Sequence, residues 1–360
     1  MGMPYATQVA QKDAAARTLI GERAGLDWLA PAIGPESSFR TKAKMVIGGT
    51  VEAPTLGILD AHLAGVDLSD CGVLSPGLRA AMAPIADFVT LAGIPPYDVA
   101  ARRGAAKHAI LTESPDGDLM LRLVLRSSEG IQRIRKHLPT LLAALPNLSV
   151  VTVNLLPAHA AVLEGDEELV LTDNDTLAYR IADVVLHLGP RAFVQTNTAI
   201  ASALYREARV WVDEIAPTSV WDLYCGIGGF ALAVAGDHRT VLGVEVSEDA
   251  IAAARRSAAE AGLADRVRFE AGDATTAATT AASAPDLVIV NPPRRGLGPE
   301  LATWLEGSGV DSVLYSSCNP ESLAVDLARM PSLRPVRARL FDMFPQTKHA
   351  EVLVLLARWS

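Results

Sequence analysis

Cysteine is scarce in this chain: Cys71, Cys225 and Cys318 are the only three among 360 residues. Three thiols are too few for a disulfide framework and too few for a self-contained four-cysteine metal site. Long apolar runs are missing as well. None reaches the ~18 residues that a membrane span needs, and residues Met1 to Thr18 mix Gln, Lys, Asp and Arg with no apolar segment of a secretory signal. These absences argue against a membrane protein and a disulfide-stapled secreted scaffold, and they predict a cytoplasmic location with reduced thiols. No internal repeat is present. An overall basic charge is lacking too, since 32 Lys and Arg stand against 41 Asp and Glu for a net charge of −9.

The charge is unevenly spread. Residues 1–150 carry 15 basic and 14 acidic side chains, and the remainder carries 17 and 27. Basic residues in the first part come in groups, Arg40, Lys42 and Lys44, then Arg102, Arg103 and Lys107, then Arg133, Arg135 and Lys136. Such groups can meet phosphates, although solvated helix and strand faces carry the same pattern. The length allows about two domains with ample core. Half the residues are hydrophobic and a fifth are charged, as in globular proteins.

Residues 181–360 alternate strand and helix signals. Short apolar or β-branched runs at 219–224, 240–246, 286–290, 312–317 and 352–357 are separated by amphipathic patterns, notably at 198–213, 247–262 and 321–330. This order predicts a Rossmann-like α/β domain with a mostly parallel sheet between two helical layers. A long irregular segment before the last strand permits an antiparallel insertion. Residues 1–180 predict a separate α+β domain. Leu119–Arg126 has leucine at every second position and reads as a half-buried strand, Ser149–Leu155 as another, with helices over 76–93 and 129–144 and a break at Pro95-Pro96. The Thr/Ala-rich stretch Ala274–Ala284 reads as a loop or frayed helix.

Three segments carry chemistry. Trp221-Asp-Leu-Tyr-Cys-Gly-Ile-Gly-Gly-Phe230 ends a strand and opens a helix, and Gly226 and Gly228 permit a tight turn close to a ligand. Glu245, nineteen residues after Gly226 at the end of the next strand, is placed to accept hydrogen bonds from ribose hydroxyls. A dinucleotide remains open on these features alone. Asp286-Leu-Val-Ile-Val-Asn-Pro-Pro-Arg-Arg-Gly296 is a buried strand ending in Asn291-Pro292-Pro293, at the sheet edge where open α/β sheets bind ligands. Amino-methyltransferases also carry Asn-Pro-Pro, usually with an aromatic residue next, whereas Arg294 follows here. Val313-Leu-Tyr-Ser-Ser-Cys318 is a strand ending in a thiol, and Glu351 opens the final strand.

A thiol and a carboxylate beside a methyl donor suit methylation at a pyrimidine C5. That carbon is a poor nucleophile until a thiolate adds to C6, and a base must afterwards remove the C5 proton. Cys225 is the rival thiol but lies within the glycine loop, where it is expected to pack. Cys71 has Asp67 and Asp70 nearby, which disfavour a thiolate. His349 is open to orienting the base, contacting RNA or serving structure.

With these segments in order, the chain resembles the RNA (uracil-5-)-methyltransferases of bacteria and archaea over nearly its whole length, nearest the branch that modifies a uracil in hairpin 35 of 23S rRNA. The matching segments are Phe39-Arg-Thr-Lys-Ala-Lys44, Phe193-Val-Gln-Thr-Asn197, the glycine loop with Glu245, Asn291–Gly296, Ser316–Asn319, and Phe341-Asp-Met-Phe-Pro345 with His349 and Glu351. The resemblance implies that Gln195, Tyr224, Glu245 and Asn291 bind S-adenosylmethionine, that Cys318 is the nucleophile and that Glu351 accepts the proton. From the residues alone, Gln195 lies in what reads simply as a capped turn. Asn291 stands where much of the family has Asp, which fits the hairpin-35 branch. The first domain is implied to contact RNA, without the additional N-terminal OB-type barrel of other branches. The expected partner is a loop or unfolded segment of 23S rRNA, because the base must leave its stack. A membrane or an obligate protein partner is not expected, and the enzyme is expected to be a monomer. Members of this branch usually hold an iron–sulfur cluster on four cysteines. Only Cys71 matches one of these, so a cluster is not expected, and the chain begins about where the third ligand would just have passed. The same chemistry on tRNA, and a non-catalytic RNA-binding assembly factor, are the alternatives.

Overall fold

The computed structural model describes residues 2–21, 25–159 and 162–359. The chain forms two compact units. One comprises Ser37–Tyr179 with Gly189–Arg191, and the other Met1–Glu36, Arg180–Leu188 and Ala192–Ser360. The first thirty-six residues thus fold with the C-terminal unit and not with the residues that follow them. Burial is the reason. Helix Tyr5–Ile20 packs on helix Pro320–Arg329, its Ala16 and Ile20 join the core of that unit, and Asp27–Trp28 adds a parallel edge strand to Leu333–Phe341.

An eight-stranded sheet forms the centre of the larger unit. Its order is Asp27–Trp28, Leu333–Phe341, Glu351–Arg358, Ser312–Ser317, Leu287–Val290, Ser219–Leu223, Thr240–Glu245, Val267–Ala271. The last five strands in that order are parallel to one another. Glu351–Arg358 is antiparallel to both neighbours, as the irregular segment before it allowed. The strands expected at 219–224, 240–246, 286–290, 312–317 and 352–357 are all present within a residue or so. Leu333–Phe341 has no counterpart in the sequence reading. Its three arginines and Pro335 disguise it, and the proline sits at a register shift between Pro335 and Arg337, where a missing N–H costs no ladder bond. Ala274–Thr280 is a helix capped by the Asp273 side chain on Thr276 N–H, so the Thr/Ala-rich stretch is ordered over its first part.

The smaller unit has a seven-stranded sheet, Gly65–Asp67, Pro54–Leu59, Lys42–Gly49, Ala106–Glu113, Leu119–Leu125, Leu148–Leu155, Glu167–Val170. Helices Pro76–Leu91 and Ile131–Ala144 cover one face with a core that includes Met45, Ile47, Leu78, Ile85, Leu121 and Val151. The leucine alternation of 119–125 suggested a half-buried strand, but every residue of it is buried. Its second face is sealed by charge pairing: Arg122, 2% exposed, binds Glu168 and Glu164. A buried arginine persists only when so paired. Among the described residues, no helix is long and apolar enough to cross a membrane.

Candidate active site

Parallel strands deliver their C-terminal ends to one edge of a sheet. Tyr224, Asn291 and Cys318 each stand immediately after such a strand, and Glu245 ends another. Glu351 opens an antiparallel strand, so its start lies at the same edge. Five of the six residues singled out from sequence are therefore gathered there. The sixth, Gln195, is half-buried in the loop before helix Thr198–Ile215. Asn197 caps that helix on Ile200 N–H and donates its Nδ2 to Met343 O at 3.3 Å, linking the Gln195 loop to the segment that leads into Glu351.

The glycine loop is shaped by local backbone and one buried acid. Tyr224 holds φ at +67° and Gly226 at +54°, a left-handed pair that reverses the chain after the strand. Asp222, wholly buried, accepts Ala231 N–H at 2.8 Å and fixes the short helix Gly229–Ala233 behind the loop. Burial pushes its carboxyl up to about 7, and the Glu245 charge adds to this. Glu245 accepts Gly226 N–H at 3.3 Å and Ser247 N–H at 3.1 Å while remaining half-exposed. A Cβ added to Gly226 would meet nothing within 4 Å, so the loop opens onto free space beside a carboxylate with acceptor capacity to spare. A nucleoside-type donor fits this cradle. Cys225 packs as expected: its sulfur is 3.0 Å from where a Gly243 Cβ would stand, and burial drives its thiol far up.

Ser317 pairs with Val352 in the antiparallel ladder, so the next positions, Cys318 and Glu351, face each other across the strand ends. Glu351 is wholly buried. Its Oε1 accepts the Ser316 hydroxyl at 2.6 Å and its Oε2 has no hydrogen-bond partner. Burial raises its carboxyl to about 7 against the lowering effect of Ser316. Cys318 is partly buried. Burial and then the Glu351 charge push its thiol up, while the Arg294 guanidinium pulls it down by charge and hydrogen bonding. Arg294 itself is anchored where its carbonyl accepts Asn319 Nδ2 at 2.9 Å.

Sequence reasoning passed over Ser316, Arg294 as a partner of the thiol, and Asp342. The period of two along Val313–Cys318 was the available signal for Ser316, since it places residue 316 on the face that residue 318 continues. His349 lies half-buried near Arg294, which helps hold its imidazole below its ordinary value after burial has done so. Cys71 is half-buried and packs on the smaller unit's core. Among the described residues, no group of three or more His, Cys, Asp or Glu side chains is arranged to hold a metal ion.

The larger unit is thus a Rossmann-type sheet with a terminal antiparallel insertion and an open glycine loop at its C-terminal edge, the build of S-adenosylmethionine-dependent methyltransferases. The whole fold superimposes on the Pyrococcus abyssi tRNA (uracil-54, C5)-methyltransferase, solved with S-adenosyl-L-homocysteine, at a TM-score of 0.82 and 23% identity, covering 99% of this chain and 84% of that one. Residues 166–359 match the tRNA (uracil-5-)-methyltransferase family. The 23S rRNA (uracil(747)-C(5))-methyltransferase of Halothiobacillus neapolitanus is 48% identical over 99% of this chain and 94% of its own length. Enzymes of the same name from Cronobacter sakazakii and Escherichia coli K12 are 47% and 44% identical, each over 99% of this chain and 95% of theirs. The chain belongs to the tRNA (uracil-5-)-methyltransferase family. Its reaction class is methyl transfer from S-adenosylmethionine to uracil C5.

Proposed function

We propose that the chain methylates C5 of a uracil in 23S rRNA, the substrate named for its relatives at 44–48% identity, with Cys318 as nucleophile and Glu351 as the base. The observation that carries the chemistry is the pairing of Cys318 with a buried carboxyl whose Oε2 is unpartnered. S-adenosylmethionine, when bound, supplies an electrophilic methyl group on a sulfonium. Glu245 would accept hydrogen bonds from its ribose, and Tyr224, Gln195 and Asn291 would complete its binding. The Cys318 sulfur adds to uracil C6, and the C5=C6 electron pair moves toward C5 and the C4 carbonyl. C5, so activated, would accept the methyl group, the donor's sulfonium leaving as a neutral thioether. Glu351 Oε2 removes the C5 proton, the electrons restore C5=C6, and the Cys318 sulfur leaves. Arg294 favours the thiolate. The smaller unit contacts the RNA through its grouped basic residues, and the protein acts as a cytoplasmic monomer.

Similarity along nearly the full length of rRNA-modifying relatives favours rRNA over tRNA. Arg294 in place of an aromatic after Asn291-Pro-Pro disfavours an amino-methyltransferase. The test is RNA carrying 5-fluorouracil, whose C5 fluorine cannot leave as a proton does. The enzyme should form a denaturant-resistant complex with it, and Cys318→Ala should neither form the complex nor methylate RNA. Methylation by Cys318→Ala would overturn the covalent route.

A further inference from the structure

Glu351 is the first residue of its strand and pairs with Phe341, the last residue of the strand before it. Residues 342–350 therefore close a hairpin loop at the edge of the site, tied at its start by Asp342 N–H to Ala32 O at 2.9 Å and by Asn197 Nδ2 to Met343 O. The Glu351 side chain has a single hydrogen bond, from Ser316, and its backbone follows directly from this loop and pairs with Phe341, the residue before Asp342.

The loop is held from the N-terminal helix. Lys12, in the middle of Tyr5–Ile20, reaches the loop with a side chain only 7% exposed. Its Nζ donates to Asp342 Oδ1 at 2.5 Å and to Phe344 O at 3.1 Å. Asp342 is wholly buried, and its Oδ2 has no hydrogen-bond partner. Tyr5 lies about two turns earlier on the same helix. Burial and the Asp342 carboxylate both push its phenol up. In the middle of the loop, Gln8 Nε2 donates to Gln346 Oε1 at 3.0 Å, and Gln346 Nε2 donates to Glu36 at 3.0 Å. The same helix packs on helix Pro320–Arg329, which starts two residues after Cys318. One rigid element thus touches the helix that follows the thiol and the loop that precedes the carboxyl. A surface ion pair would be worth little. A buried ammonium bound at once to a carboxylate and a main-chain carbonyl fixes geometry.

We propose that Lys12 is a positioning residue for the proton-removal step: through Asp342 and Phe344 it holds the loop that sets Glu351 against the C5 proton of the Cys318 adduct. The inference rests on the roles given above to Cys318 and Glu351. It predicts a split between steps. Thiol addition at Cys318 does not pass through this loop, whereas adduct breakdown does; the link of Asn197 to Met343 O joins the loop to Gln195, so the steps are compared at saturating S-adenosylmethionine.

The test uses the full chain, S-adenosylmethionine and an unsubstituted uracil-containing rRNA segment. Lys12→Met alone strands the buried Asp342 charge and can fail to fold, so Lys12→Met/Asp342→Asn, which removes both charges, is measured beside it, and Lys12→Arg serves as the conservative rescue. Single-turnover methyl incorporation, multiple-turnover rate and the fraction of enzyme in a denaturant-resistant RNA complex are followed. The double variant should keep single-turnover incorporation within about twofold, lose about tenfold to a hundredfold in turnover as a misplacement of ~1 Å does, and accumulate the covalent complex. Lys12→Arg should restore turnover at least in part. Glu351→Gln is the reference. If Glu351→Gln accumulates the adduct while the folded double variant does not, Lys12 serves stability alone and the proposal fails with the mechanism intact. If Glu351→Gln turns over without any adduct, the assignment of Glu351 falls, and this inference falls with it.

Discussion

Glu245 and Glu351 are both carboxylates at strand ends on one sheet edge, yet their surroundings prepare them for opposite work. Glu245 is half-exposed and accepts two backbone N–H groups, which orient its oxygens and leave lone pairs for ligand hydroxyls. Glu351 is wholly buried with one hydroxyl donor, and burial lifts it to about 7, the range in which a carboxylate can take up a proton and give it back. Removing Glu245 should therefore weaken cofactor binding with little effect on the fold. Hydrogen bonds from hydroxyls to a charged acceptor are worth roughly 1.5–3 kcal/mol each, so losing two of them in Glu245→Ala should weaken S-adenosylmethionine binding by about a hundredfold or more, measured by calorimetric titration. Unchanged affinity would remove Glu245 from the cofactor site.

Among the elements, the loop Asn291–Gly296 depends most on a residue far from it in sequence. Asp326, on helix Pro320–Arg329 and 1% exposed, accepts Leu297 N–H at 2.8 Å and the Tyr315 hydroxyl at 2.8 Å. Gly296 holds φ at +83°, and a Cβ there would come within 2.4 Å of Asp326 Oδ2, so the loop closes over the carboxylate only as glycine. The carboxylate joins the loop, the strand that bears Cys318 and the helix after it. Asp326→Ala strands a buried N–H and a buried hydroxyl, each costing about 1–3 kcal/mol. It should lower stability by roughly 3 kcal/mol in a denaturant titration and reduce both cofactor affinity and methylation. A stability change below about 1 kcal/mol would show that water replaces the carboxylate.

At the scale of the whole molecule, two wholly buried carboxyls, Asp222 and Glu351, are each raised to about 7. The folded chain keeps these protons up to about pH 7, whereas the unfolded chain releases them near ~4. The folded state binds more protons across that window, so these groups make stability fall as pH rises from about 4 to about 7. Asp286 and Asp67, held low by hydrogen bonds, act in the opposite sense, their stabilisation being lost as pH falls below the ordinary carboxylate range. His108 and His349, held low chiefly by burial, oppose this fall in the same window, so the check is a difference: Glu351→Gln should make the melting temperature fall less steeply, or rise more steeply, from about pH 5 to about pH 7 than in the native chain. A slope unchanged by that substitution would mean that Glu351 titrates at its ordinary value.

The local pattern of residues determined much of this protein. The β/α alternation of 219–317, the glycine loop, Glu245 and a thiol at a strand end are properties of short segments, and period and turn chemistry make such segments readable. Tertiary structure alone decided what non-local partners do. The strand Leu333–Phe341 is built of arginines and a proline, and only a central antiparallel neighbour makes it a strand. Residues 1–36 join the C-terminal unit through partners far along the chain, among them Lys12 with Asp342 across 330 positions and Asp27–Trp28 with Leu333–Phe341. Cys318 and Glu351 are 33 residues apart in sequence, and either could have been inert core or a solvated strand end. The antiparallel ladder sets them opposite each other, and burial, which no run of letters records, gives the carboxyl its raised affinity for a proton.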